Sequence, residues 1–167
     1  MVHRSIAARL AGSALMTAIE TGVFGLALLM TIVSAGELAL YPGTLDGIAQ
    51  NFFFLWAMFA MVLPFALLVA LFVLWPTAAI SGALLLVGAK RDHRLAEPML
   101  WLAIGLAIGL SYGWLFFVGG LPRFDIVEGP LAPTAALVWT GASGAFAGWR
   151  LHRKLDRGGC FAAPAAG

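Results

Sequence analysis

The chain has 167 residues, of which 62% are hydrophobic and 11% are charged. Soluble globular proteins carry about 25% charged residues, so this composition excludes a water-soluble globule and predicts an integral membrane protein. The net charge of +2 does not indicate a nucleic-acid partner, because the basic residues fall in short clusters beside apolar stretches and do not share one face.

Four apolar stretches predict transmembrane helices, at about residues 10–34, 52–75, 98–118 and 131–149. A helix that rises 1.5 Å per residue needs about 20 apolar residues to cross a ~30 Å hydrocarbon core, and each stretch is of about that length. We therefore expect an all-α integral membrane protein, a bundle of four transmembrane helices that forms a single membrane domain over residues 1–157.

The first stretch follows His3, Arg4 and Arg9, an arrangement that is also found in secretory signal peptides. Its apolar run is roughly 25 residues long, against about 7–15 in a signal peptide, and it contains Glu20. We therefore interpret it as an uncleaved first span.

The second apolar region extends without a charge from 52 to 89, which is ~57 Å of continuous helix and more than one crossing needs. Proline disfavours helix at the preceding residue, so we expect a break at Trp75–Pro76 and a short interfacial helix over 77–89. The alternative is a tight hairpin of two shorter crossings. That alternative gives five spans and places the loop at Lys90 and Arg91 outside.

If four spans cross in turn, nine of the ten Lys and Arg residues lie on one side and Arg123 lies opposite. An excess of positive charge in short loops marks the cytoplasmic face, so both termini should be cytoplasmic and the basic clusters should contact anionic lipid headgroups. The Ala-, Gly-, Leu- and Arg-rich composition favours a bacterial inner membrane, where the protein would be multi-pass. We expect residues 158–167 to be a disordered tail.

Glu20 is the only ionisable residue deep in a predicted span, near the bilayer midplane. Such residues usually face the bundle interior. Finding no Lys or Arg within the spans, we expect desolvation to favour the neutral acid and Tyr112, Trp139 and Thr140 to be its hydrogen-bonding partners. Three roles remain open for Glu20: a structural hydrogen bond, a proton-coupling or cation-binding carboxylate, and a contact with another subunit.

Small residues recur every fourth position in the last two spans, which places them on one face of each helix. The five glycines in these repeats are Gly105, Gly109 and Gly113 in the third span and Gly144 and Gly148 in the fourth. The pattern predicts close helix contact. It is compatible with packing of these two helices within one chain, with a homodimer seam and with a groove for a partner's helix.

The sequence contains no nucleotide-binding loop, catalytic triad or zinc-protease motif, so we expect neither an enzyme nor a bound cofactor or metal. The leading hypothesis is a non-catalytic accessory subunit or a small oligomer that acts through helix contacts with another membrane subunit or with itself. The alternative is a small proton-coupled transporter that uses Glu20.

Overall fold

The structure, a computed structural model, describes residues 2–40, 45–118 and 132–161. Of these residues 94% are helical, and no strand occurs among them. The five α-helices of the described ranges are α1 (Val2–Leu40), α2 (Leu45–Val69), α3 (Trp75–Ala89), α4 (Pro98–Gly113) and α5 (Ala132–Arg157). Two π-helical turns (Ala70–Leu74 and Trp114–Val118) follow α2 and α4, and a 3-10 turn (His93–Ala96) precedes α4.

Among the described residues, three segments are long and apolar enough to cross a membrane: Ile6–Ala35, Trp56–Ala89 and Pro98–Val118. They correspond to the first three predicted spans. The fourth predicted span, which lies in α5, does not meet the same criterion because Gly, Ser and Thr residues lower its hydropathy. An all-helical protein with three candidate membrane-spanning helices is therefore established, and a fourth crossing stays a prediction.

The break that we expected at Trp75–Pro76 is not present. The chain remains helical from Leu45 to Ala89, so 77–89 continues the second segment and is not a separate interfacial helix. The reason is local: a proline ring inside an α-helix clashes with the carbonyl four residues earlier, here that of Phe72. The π-helical turn Ala70–Leu74 widens the helix at that carbonyl, and Pro76 then occupies the first turn of α3.

Helix α1 packs against α2, α3 and α5, while α4 packs along α5. Within the described residues α2 contacts neither α4 nor α5. A small core of buried residues joins α1, α3, α4 and α5 near the end of the bundle where Arg9 donates to the carbonyl of Gly158. We call this the basic end. The buried core residues are Ala14, Leu86, Trp101, Leu151 and Leu155.

Residues 158–161, which we expected to be part of a disordered tail, form a turn that packs on the bundle. Helix α5 ends at Arg157, and Gly159 has a φ of 67°, a conformation that glycine adopts at little cost. The turn directs Phe161 onto His152 and Trp101, at ring-centroid distances of 5.1 and 5.7 Å. Residues 162–167 lie outside the described residues.

Candidate functional site

Glu20 forms an ion pair with two cations of α5. Its Oε2 accepts a 2.8 Å hydrogen bond from Arg150 Nε. Lys154 Nζ lies 3.0 Å from the same oxygen, as a charge contact and without good hydrogen-bond geometry. Between 21% and 28% of each of the three side chains is exposed. The hydrogen bond raises the pKa of Arg150 above its ordinary value. We call these three residues the ion triad.

The directions of the helices bring the triad together. Side chains on a helix lean toward its N-terminus, and α1 and α5 are antiparallel. Glu20 therefore leans toward the basic end while the long side chains of Arg150 and Lys154 reach away from it. Phe24, one turn beyond Glu20, stacks on Phe146, one turn before Arg150, with ring centroids 4.4 Å apart. These pairs fix the register of α1 against α5.

The expected partners of Glu20 were wrong, because Arg150 and Lys154, and not Tyr112, Trp139 and Thr140, contact its carboxylate. Arg150 and Lys154 follow the predicted fourth span directly and reach back along α5. Arg150 is ten residues beyond Thr140, which is ~15 Å at the rise of a helix. The i, i+4 spacing of Arg150 and Lys154 places both cations on one face, and that spacing was the signal available in the sequence.

Tyr112, Trp139 and Thr140 are near one another, but Glu20 is not among them. Trp139 Nε1 donates to the carbonyl of Gly25 at 2.6 Å, and Thr140 Oγ1 donates to the carbonyl of Ala136 at 2.9 Å. The hydroxyl of Tyr112 lies 3.2 Å from that of Thr77. Tyr112, Trp139 and Thr140 line a cavity of about 440 Å³ that Glu20 does not line. The predicted polar site thus divides into an ion triad and a separate cavity.

Three further residues that line this cavity, Thr17, Thr21 and Ser143, were not among the predicted site residues. Thr17 is fully buried and Thr21 is 4% exposed, and neither hydroxyl has a hydrogen-bonding partner among the described residues; nor does that of Ser143. Thr17 and Thr21 are one helical turn apart, which was a detectable spacing, but nothing in the sequence showed that α5 would bring Ser143 beside Gly25 of α1.

The glycine repeats form the seam between α4 and α5. A Cβ added at Gly109 would lie 3.1 Å from the Cα of Gly144 and still closer to the carbonyl oxygen of Thr140. Gly105 approaches Gly144 and Gly148 in the same way, while Gly113 lies against the Thr140 side chain. This close approach leaves no room for side chains. The glycine faces of α4 and α5 therefore pack against each other within one chain.

The chemistry that these residues can perform is limited. Hydroxyl-bearing residues and an indole line the cavity, and none of the described residues that line it is charged. The triad offers a carboxylate that two cations neutralise. In the part of the chain that the structure describes, no group of three His, Cys, Asp or Glu residues is placed to hold a metal ion.

Comparisons with protein family models, with curated proteins and with solved structures found no match to this chain.

Proposed function

We propose that this chain is a non-catalytic, multi-pass protein of the bacterial inner membrane, with four spans and both termini cytoplasmic. It acts through helix contacts, as an accessory subunit of another membrane protein or as a small oligomer. Its three basic clusters contact the anionic headgroups of the cytoplasmic leaflet.

The glycine seam supports the fourth span. Helix α5 lies antiparallel to α4 from the contact of Gly148 with Trp101 to that of Leu137 with Gly113. Because α4 belongs to the candidate span Pro98–Val118, we expect the part of α5 that faces it to lie at the same depth. The small residues that lower the hydropathy of α5 are those that permit this close packing, and membrane helices commonly pair in this way.

The weak packing of α2 within the chain carries the helix-contact proposal. In the described ranges its packing partners are α1 and the π-helical turn that continues it. Ala66 and Ala70 mark the side that faces Gly22 of α1. Met61 and Leu68 lie on the side away from α1 and are 73% and 52% exposed. Because α1 covers one side of α2, the opposite side, where Met61 and Leu68 lie, is the surface that we propose pairs with a helix of another chain.

The transporter alternative has less support. A proton-coupling carboxylate has to exchange its proton with a pathway through the protein. Glu20 does not line the cavity, and Arg150 and Lys154 hold its carboxylate at 2.8 and 3.0 Å. These contacts favour a structural role.

The test is photocrosslinking in cells with a photoreactive amino acid at Met61, followed by purification in mild detergent. We expect adducts from Met61 either to a second copy or to one defined membrane chain that also co-purifies with the unmodified protein. The control is the same replacement at Met99 of α4, which is 74% exposed and should give none. A monomer that purifies alone and forms no adduct at Met61 would contradict the proposal.

A further inference from the structure

The cavity lies between α2 and α3 on one side and α4 on the other, and α1 and α5 form its floor. Val62 of α2 and Ile108 of α4 both line it, although α2 and α4 are not in contact over the described residues. Phe65 also lines it, is 71% exposed and belongs to the candidate span Trp56–Ala89. The cavity therefore opens on a surface that faces lipid when this span is in a membrane.

The polar side chains among the described lining residues are either hydrogen-bonded within the chain or inaccessible. Six of them make hydrogen bonds to other groups of the chain: Thr77, Ser81, Trp101, Tyr112, Trp139 and Thr140. The hydroxyl oxygens of the other three, Thr17, Thr21 and Ser143, have almost no accessible surface. A polar group of a ligand would lose its hydrogen bonds to water on entering such a site. We therefore expect the part of a ligand that occupies the cavity to be hydrocarbon.

The connection between α3 and α4 lies at the basic end of the cavity. Leu85 of α3 and Trp101 of α4 line the cavity and flank this connection in the chain. Trp101 Nε1 donates to the carbonyl of Leu95 at 2.8 Å, and His152 Nε2 lies 2.7 Å from the carbonyl oxygen of Ala96. These two contacts hold the connection against α4 and α5, beside the cavity.

Three exposed cations belong to this connection: Lys90, Arg91 and Arg94. Over the described residues none of the three forms a salt bridge. The connection also contains Asp92 and Glu97, and Asp92 Oδ1 accepts a 3.0 Å hydrogen bond from the backbone N–H of Arg94. Three cations and two carboxylates leave a net charge of +1. Guanidinium groups without a carboxylate partner are suited to bind phosphate through paired hydrogen bonds.

The dimensions of the cavity fit a lipid chain of one leaflet. The lining residues Trp101 and Tyr112 of α4 are 11 positions apart, which is about 16 Å of helix. One leaflet supplies about half of a ~30 Å hydrocarbon core, or roughly 15 Å. The volume of about 440 Å³ is typical of small-molecule sites and far below the roughly 2,400 Å³ of a transmembrane helix. A partner's helix is therefore too large for the cavity.

We propose that the cavity holds one acyl chain of an anionic glycerophospholipid, whose phosphate contacts Arg91 and Arg94. A neutral lipid would fill the cavity without using these cations, and a free phosphate would use the cations without filling the cavity. An anionic phospholipid matches both features. This inference rests on the proposed contact of the basic clusters with anionic headgroups, and it adds a defined binding site to that contact. It does not involve the side of α2 on which Met61 lies.

The test uses phosphatidylglycerol with a photoreactive diazirine in one acyl chain, added in small amounts to phosphatidylcholine vesicles that contain the wild-type protein. We expect saturable adducts on cavity residues such as Ile104 and Ile108, and competition by unlabelled phosphatidylglycerol. Phosphatidylcholine with the same diazirine chain should give few adducts there. Met99 of α4, which is 74% exposed, reports the labelling of surrounding lipid and should not saturate. Equal labelling of the cavity residues by the two lipids would overturn the proposal.

Two double variants with the same change of charge test the phosphate contact. Arg91→Gln/Arg94→Gln should lower the cavity adducts of phosphatidylglycerol about 5- to 30-fold, as expected for the loss of one or two cations near an anionic headgroup. Arg153→Gln/Arg157→Gln removes two exposed arginines of α5 and should leave these adducts unchanged. An equal loss in both variants would contradict the cavity site and leave the general headgroup contact standing. No loss in either variant would contradict both.

A second pair of variants tests the chain site. Ile108→Trp places a larger side chain in the cavity and should lower the saturable adducts on Ile104 several-fold, with the adducts on Met99 unchanged. Ala107→Trp is the matched control, because Ala107 is the preceding residue of α4, is exposed and does not line the cavity. It should label as the wild type does. If the two variants keep the same adducts on Ile104, the acyl chain does not occupy the cavity. The comparison of the two lipids in the wild-type protein does not depend on the stability of any variant.

Discussion

Arg150 of α5 donates a 2.8 Å hydrogen bond to Glu20 of α1, although 130 residues separate the two in the chain. The bond joins the first described helix to the last, and Lys154 adds a second positive charge at 3.0 Å. Glu20, the ionisable residue predicted to lie deepest in a span, therefore links α1 to α5. Its negative charge is compensated by cations of the same chain.

Replacement of Glu20 by Gln should lower the free energy of unfolding by about 1–2 kcal/mol, because it leaves two partly buried cations without a counter-ion. Reversible unfolding in mixed micelles measures this loss. In a double-mutant cycle, Glu20→Gln and Arg150→Gln should couple by about 1 kcal/mol. The control is Arg153→Gln, because Arg153 lies over the Trp149 ring and forms no ion pair with Glu20. If Glu20→Gln couples no more strongly to Arg150→Gln than to Arg153→Gln, the hydrogen bond between Glu20 and Arg150 contributes nothing to stability.

Gly109→Ala should destabilise the protein by about 1–3 kcal/mol, the range for overpacking, because the added methyl group would overlap the Thr140 carbonyl of α5. Gly12→Ala is the matched control, since nothing lies within 4 Å of a Cβ at Gly12. Alanine favours helix over glycine, so the control should be neutral or slightly stabilised. Thermal unfolding in detergent would distinguish the two variants. Equal melting temperatures would mean that α4 and α5 are not in close contact at Gly109.

Trp101→Ala should cost about 3–5 kcal/mol, as expected for truncation of a large buried ring. Trp101 is 1% exposed, and its Nε1 donates to the carbonyl of Leu95 at 2.8 Å. Trp114→Ala is the control, because Trp114 lies on the same segment and is 60% exposed. It should cost less than about 1 kcal/mol. If both variants lose a similar free energy of unfolding, Trp101 is not part of the core of the bundle.

The sequence predicted the helical class and the close contact of α4 with α5 because both follow from spacing along a single helix. A four-residue repeat of glycines defines a face wherever that helix lies. The sequence did not predict the contacts of Glu20, because they depend on how far the side chains of Arg150 and Lys154 extend between helices. The prediction of a helix break at Pro76 was also wrong. A π-helical turn can accommodate a proline ring, and composition alone does not indicate such a turn.

Residues of α5 contribute to the ion triad, to the glycine seam and to the cavity. The crossing of the membrane by α5 is therefore the feature to test. A cysteine introduced at Asp125, which precedes α5 and lies outside the described residues, and the native Cys160 after α5 should be on opposite sides. An impermeant thiol reagent should label Asp125→Cys, in a Cys160→Ser background, in intact cells. It should label Cys160 of the wild-type protein only after the cells are permeabilised. Labelling of both positions in intact cells would contradict the crossing.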